Sequence, residues 1–197
     1  KAAGVEAFNK KIIAASPTVY DMAAYPKTLS GKTVAAYVNT HTDLSDELYR
    51  EGKLVSDNYK NILRSQTNAA AIPAEVTVRY GVTVRRANLR NLPTGEGLFF
   101  YASDRNFDAL QETALDPGEA VAILHTSTNG YFYYVQAYNY RGWLSKFDVA
   151  ETDRSTWLRY AEPKNFLTVV AKDYTLKADG AQVLFQQGAR LQLADKK

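Results

Sequence analysis

Val76-Thr77-Val78-Arg79-Tyr80-Gly81-Val82-Thr83-Val84 is the stretch on which the fold turns. Val76, Val78, Tyr80, Val82 and Val84 alternate with other residues, the two-residue period that puts successive side chains on opposite faces of a half-buried strand. Downstream, Pro117-Gly118 supplies a turn into a second strand, Ala120-Val121-Ala122-Ile123-Leu124. Asn129-Gly130 favours the positive backbone torsions of a tight hairpin and opens a third, aromatic strand over Tyr131–Tyr138. Tyr140-Arg141-Gly142-Trp143-Leu144 begins a fourth after another tight turn. Several short strands with turns between them predict a small β-barrel over residues 76–150.

Between the first two strands, Asn91 to Ala114 reads as a long irregular connection. Loops of that length inside compact units are uncommon and usually functional. This one holds Thr94-Gly95-Glu96-Gly97, then Phe99-Phe100-Tyr101, then the acids Asp104, Asp108 and Glu112.

Upstream of Pro73 the period is helical. Val5, Phe8, Ile12 and Ile13 share one apolar face that Ser16-Pro17 ends. Ser30 caps a second helix carrying Val34, Tyr37 and Val38. Asp46, Glu47, Arg50 and Gly52 read as a short acidic-to-basic turn with a glycine stop. Ser56 caps a clearer helix, with Tyr59, Ile62 and Leu63 on one face and Asn68 and Pro73 closing it. Helices this short depend on packing against something else.

From Phe166 the strand pattern begins again. Thr168-Val169-Val170 answers Thr83-Val84-Arg85, and Gly188 with Leu191 answers Gly118 with Val121. The second copy reaches Lys197 where the first enters its Asn-Gly hairpin. Half a barrel leaves open strand edges and an unfilled core. The expectation is that more chain follows; the alternatives are packing on its neighbours or completion by another chain.

With 197 residues, 46% of them apolar, the chain can build a real core. A net charge of +3 without a dense Lys/Arg stripe argues against nucleic acid as a partner. The absence of cysteine removes a thiolate nucleophile, disulfides and cysteine-ligated metals together. No run approaches the roughly 18 apolar residues of a membrane span.

Arg79–Thr94 (RYGVTVRRANLRNLPT), Phe107–Ser127 (FDALQETALDPGEAVAILHTS) and Tyr138–Ala150 (YNYRGWLSKFDVA) together resemble a bacterial SH3-type domain of NlpC/p60 cell-wall peptidases. The helical leader resembles the stabilising N-terminal domain of that family, and the tail resembles the opening of its second SH3-type domain. The resemblance implies an α+β chain: a helical N-terminal region (1–75), an SH3-like β-barrel (76–150), a linker (151–165) and a partial second SH3-like unit (166–197). In such enzymes a C-terminal papain-like domain with Cys and His cuts peptidoglycan stem peptides. With no Cys and only His41 and His125, that chemistry cannot be assembled here, and no catalytic residue, cofactor or metal is expected.

The resemblance also points to ligand-contacting residues. In related enzymes an acid and a Tyr of this domain can meet the free amino group of a stem peptide, a role for Tyr101 with Asp104 or Asp108. The alternative is a solvated acidic loop, with Asp108 simply capping a turn. Arg90, at the mouth of the loop, either contacts ligand or forms an ion pair that fixes the loop. Of the aromatic set Tyr131, Phe132, Tyr133, Tyr134, Tyr138, Tyr140 and Trp143, alternation puts about half inward; Tyr140 and Trp143 are the candidates for a groove. His125 and His41 read as structural or surface residues.

The expectation is therefore a secreted or periplasmic cell-envelope chain, the non-catalytic targeting and cleft-shaping region of a peptidoglycan endopeptidase. Its partners would be a stem peptide or muropeptide and a catalytic NlpC/p60 domain in the same or another polypeptide. The competing reading is a stand-alone envelope protein that recognises peptidoglycan or a protein partner.

Overall fold

The computed structural model describes residues 2–40 and 43–193; His41 lies outside them. The chain runs through α1 (Ala2–Ala15), β1 (Thr28–Ser30), α2 (Gly31–Asn39), β2 (Tyr49–Arg50), β3 (Lys53–Leu54), α3 (Asp57–Ser65), β4 (Glu75–Thr77), β5 (Arg79–Thr83), β6 (Ala87–Arg90), β7 (Gln111–Leu115), β8 (Ala120–Thr126), β9 (Phe132–Gln136), β10 (Arg141–Ser145), β11 (Val149–Thr152), α4 (Arg154–Ala161), β12 (Phe166–Thr168), β13 (Asp173–Ala178), β14 (Ala181–Gln186) and β15 (Arg190–Gln192).

Local signals act where the sequence places them. Ser30 and Ser56 accept hydrogen bonds from the Thr33 and Tyr59 amides and so start α2 and α3. Gly118 and Gly130 take positive φ at the two turns flanking β8. The acidic-to-basic turn near Arg50 is a correction: it is the β2–β3 hairpin, with Glu51 and Gly52 both at positive φ.

The single strand expected from Val76 to Val84 is two. β4 leaves the sheet to pair with β1, Leu29 opposite Val76, and the Val78 amide donates to the Lys27 carbonyl at 2.9 Å. Only β5 joins the large sheet, whose order is β11-β5-β8-β9-β10-β6-β7. The expected closed barrel is thus an open, curled sheet of seven strands, because no ladder among the described residues joins its edges, β7 and β11. Part of the predicted irregular connection, Gln111–Leu115, is the regular edge strand β7.

Both faces of this sheet are buried. Val121, Ile123, Val135, Leu144 and Val149 fill the inside of the curl with Leu89. Val82, Ala122, Leu124, Tyr134 and Trp143 face outward, where Val34 and Val38 of α2 and Trp157 of α4 cover them. Trp157 Nε1 donates to the Val121 carbonyl at 3.0 Å, so even the covering helix meets the sheet with its polar atom matched. The core thus runs across residue 75 and makes the N-terminal region and the sheet one packed body.

α1 forms where periodicity places it, but Val5, Phe8, Ile12 and Ile13 remain exposed. In the tail, β12 pairs with β15 and β13 with β14, as β5 pairs with β8 and β6 with β7. Even the flanking bonds repeat: Thr83 N–H donates to Glu119 O and Gly118 N–H to Thr83 O, and Val169 N–H donates to Ala189 O and Gly188 N–H to Val169 O. Gly188 answers Gly118 as expected, while Val169, not Thr168, answers Thr83.

Candidate binding surface

The long loop after β6 is built around two charges. Arg90 donates from Nη1 to Asp108 Oδ2 at 2.6 Å and from Nη2 to the Glu96 carbonyl at 2.6 Å. The other oxygen of Asp108 accepts from the Leu98 and Leu110 amides at 3.1 and 3.0 Å. Leu92, Leu98 and Leu110 then pack with Leu44, Leu48, Val55 and Leu63 of the N-terminal region. Tyr49 and Phe99 exchange both backbone hydrogen bonds. Outside this core, the Glu96 carboxylate accepts from the Tyr59 hydroxyl and from Arg50 Nη1, and these bonds, the tyrosine's first, hold its carboxyl below the usual range.

Arg90 and Asp108 therefore leave the set of ligand-contacting candidates. Their side chains are 5% and 16% exposed, and each is committed to the other and to the loop backbone. Trp143 leaves it too: it is wholly buried, edge-on to Tyr134 at 5.2 Å between ring centres. It lies on the outer face of the sheet, under the cover of α2 and α4.

Beyond the braced base the loop turns outward. Tyr101 is 71% exposed and Phe107 78%, with Phe100 half exposed between solvent and loop. Asp104 shapes this tip, accepting from the Asn106 and Phe107 amides at 2.8 and 3.3 Å, and the first of these bonds does most to hold its carboxyl low. Tyr140 lies in a different turn, between β9 and β10, with its ring partly exposed and its carbonyl accepting from Ala137 N–H at 2.8 Å. Phe100 and Phe107 were not singled out from the sequence. The available signal was three large aromatics within residues 100–107, among Ala, Ser, Asp, Arg and Asn.

Among the described residues no group of His, Asp and Glu is placed to hold a metal ion. His125 Nε2 donates to the Asn68 carbonyl at 3.0 Å, tying the sheet to the segment after α3, and burial lowers its pKa. Ser127, nearby in sequence, is buried and donates to Asn129 Oδ1. No helix among the described residues is long and apolar enough to cross a membrane.

Residues 98–145 match the family model for the SH3 domain of SH3b1 type. That span contains the aromatic tip and the strands β7 to β10 that support it. A solved structure described as a novel NlpC/P60 endopeptidase from Photobacterium damselae subsp. piscicida shares the fold, with a TM-score of 0.62 at 19% identity over 83% of this chain. The likeness takes in only 37% of that longer chain. No curated protein matches the sequence.

Proposed function

We propose that this chain is the non-catalytic, wall-binding region of an NlpC/p60-type peptidoglycan endopeptidase, acting outside the cytoplasm at the cell envelope. The observation that carries the reading is the loop itself. Its base is held by a buried ion pair, yet its tip presents Phe100, Tyr101 and Phe107 to solvent. Exposed rings on a fixed base lose little conformational freedom on binding and suit flat contacts to sugars and peptides. Asp104 stands in the same tip, where a carboxylate suits the free ammonium of a stem peptide.

The name of the structural neighbour supports a catalytic NlpC/P60 domain as the partner, in the same polypeptide or another. The repeated strand pairing supports reading the tail as the opening half of a second unit of the same kind. In the first unit, β9 and β10 bridge β8 to β6 and weld the two strand pairs into one sheet. The tail pairs stand as two separate two-stranded sheets. Between them, α4 and β5 lies a cleft of about 1020 Å³ with Val82, Leu167, Val169, Leu176 and Phe185 on its walls.

Titration of the isotope-labelled chain with a purified muropeptide that has a free stem-peptide amine tests the proposal. Saturable amide shifts at residues 99–107 are expected. Shifts that leave this loop untouched, or none, would overturn it, and saturable binding of a protein partner alone would favour the stand-alone envelope protein.

A further inference from the structure

A smaller cavity lies where the turn before β8, the end of α4 and β15 meet, beside Met22 and the β9–β10 turn. Met22, Glu119, Tyr138, Tyr160, Arg190 and Gln192 are among its walls, and about 60 Å³ is open within it. That is the room of roughly two waters at about 30 Å³ each in the liquid. Gly118 turns at φ +87° on one wall, in the left-handed region that favours glycine, although the space there is not tight. A Cβ there would stand 3.7 Å from the Arg190 carbonyl oxygen and 3.9 Å from the Tyr160 ring.

Two opposite charges line this space without meeting. The Glu119 backbone N–H donates to Thr83 Oγ1 at 2.9 Å, but its carboxylate has no hydrogen bond or ion pair among the described residues. Burial pushes that carboxyl up, while Arg190 pulls it the other way from a distance. Arg190 lies over the Phe166 ring, 5.5 Å from its centre, and takes no carboxylate partner. Neighbouring Asp116 is already paired with Arg86 at 3.1 Å. The Glu119 carboxylate is half-buried but still reached by solvent, and Arg190 is exposed, so water meets both charges and can be displaced by a ligand group that restores the hydrogen bonds.

We propose that this pocket binds a zwitterionic amino-acid head group, its ammonium against Glu119 and its carboxylate against Arg190. An alkylammonium alone leaves Arg190 unmatched, and a carboxylate alone leaves Glu119 unmatched. The small volume admits one such head, with the rings of Tyr138 and Tyr160 beside it. A free amino acid and the distal end of a diamino-acid side chain in a peptide carry the same chemistry.

The test is an amide chemical-shift titration of the full 197-residue chain. The probes are glycine, ethylammonium, acetate, and a peptide with a diaminopimelate whose distal head group is free. Saturable shifts at Gly118, Glu119 and Tyr160 are expected with glycine or the peptide, and the tighter of the two identifies the source. Removing one charge-assisted contact, by Glu119→Gln or Arg190→Gln, should weaken that binding about tenfold. The proposal is overturned if neither zwitterion gives saturable shifts, or if ethylammonium or acetate binds as well. It is also overturned if the two variants lower the melting temperature by equal, non-additive amounts, the mark of a direct strut between Glu119 and Arg190.

Discussion

Arg90 Nη1 meets Asp108 Oδ2 at 2.6 Å across 18 residues of chain, and the pair closes the long loop after β6 at its base. Because both side chains are almost out of water, removal of one leaves the other as an unmatched buried charge. Asp108→Ala should therefore cost about 3 kcal/mol, read as a lower urea midpoint with an unchanged slope. The same variant should speed hydrogen exchange at the Leu98 and Leu110 amides, which lose their acceptor. A midpoint within experimental error of the parent would show that the pair does not hold the loop.

Gly31 couples the N-terminal region to the sheet. Its N–H donates to the Ala74 carbonyl at 2.7 Å, and a Cβ added there would run into the Pro73 carbonyl, which is backbone and cannot swing away. Gly31→Ala should lower stability by about 2 kcal/mol, in the range of overpacked sites. It should also loosen the β1–β4 pairing first, seen as faster exchange at Val76 and Val78. An unaffected β4 would mean that the junction tolerates separation.

His125 predicts how stability responds to mild acid. Burial holds its ring below the ordinary value of 6.5, against the opposing pull of the Asn68 carbonyl. The unfolded chain thus takes up the proton first as pH falls. The contribution is complete above about pH 6.5 and is lost as pH drops toward the depressed native value. His125→Gln should flatten this part of the stability profile; an unchanged slope just below that pH would contradict the assignment.

What could be read from sequence was what is decided locally. Ser30, Ser56, Pro117-Gly118 and Asn129-Gly130 each act through bonds within a few residues, and each sits at its expected place. The split at Val78 was not legible, because the alternation of Val76, Val78 and Val82 continues across it. The break comes from a partner about 50 residues away, the Lys27 carbonyl. The β2–β3 hairpin was hidden because Glu51, which has no special liking for positive φ, takes the place where Asn or Asp would announce a turn.

At the site, Tyr101 and Asp104 are legible as loop residues; an ion pair is among the readings of Arg90, but nothing local names Asp108, 18 residues on, as its partner. Trp143 and Tyr140 carry the same aromatic signal. Burial of both faces of the sheet separates them, and that cover comes from α2 and α4, which no local pattern reveals.

Co-sedimentation with purified peptidoglycan sacculi tests the central claim, that the exposed tip of this loop binds the wall. The parent chain should pellet with sacculi, and replacement of Phe100, Tyr101 and Phe107 together by Ala should weaken that binding about tenfold or more, as loss of aromatic anchors does. Because Tyr101 and Phe107 stand largely in solvent and Phe100 is half exposed, the melting temperature should fall by no more than a few degrees. A parent chain that stays in the supernatant, or a triple variant that pellets as well as the parent, would contradict the account.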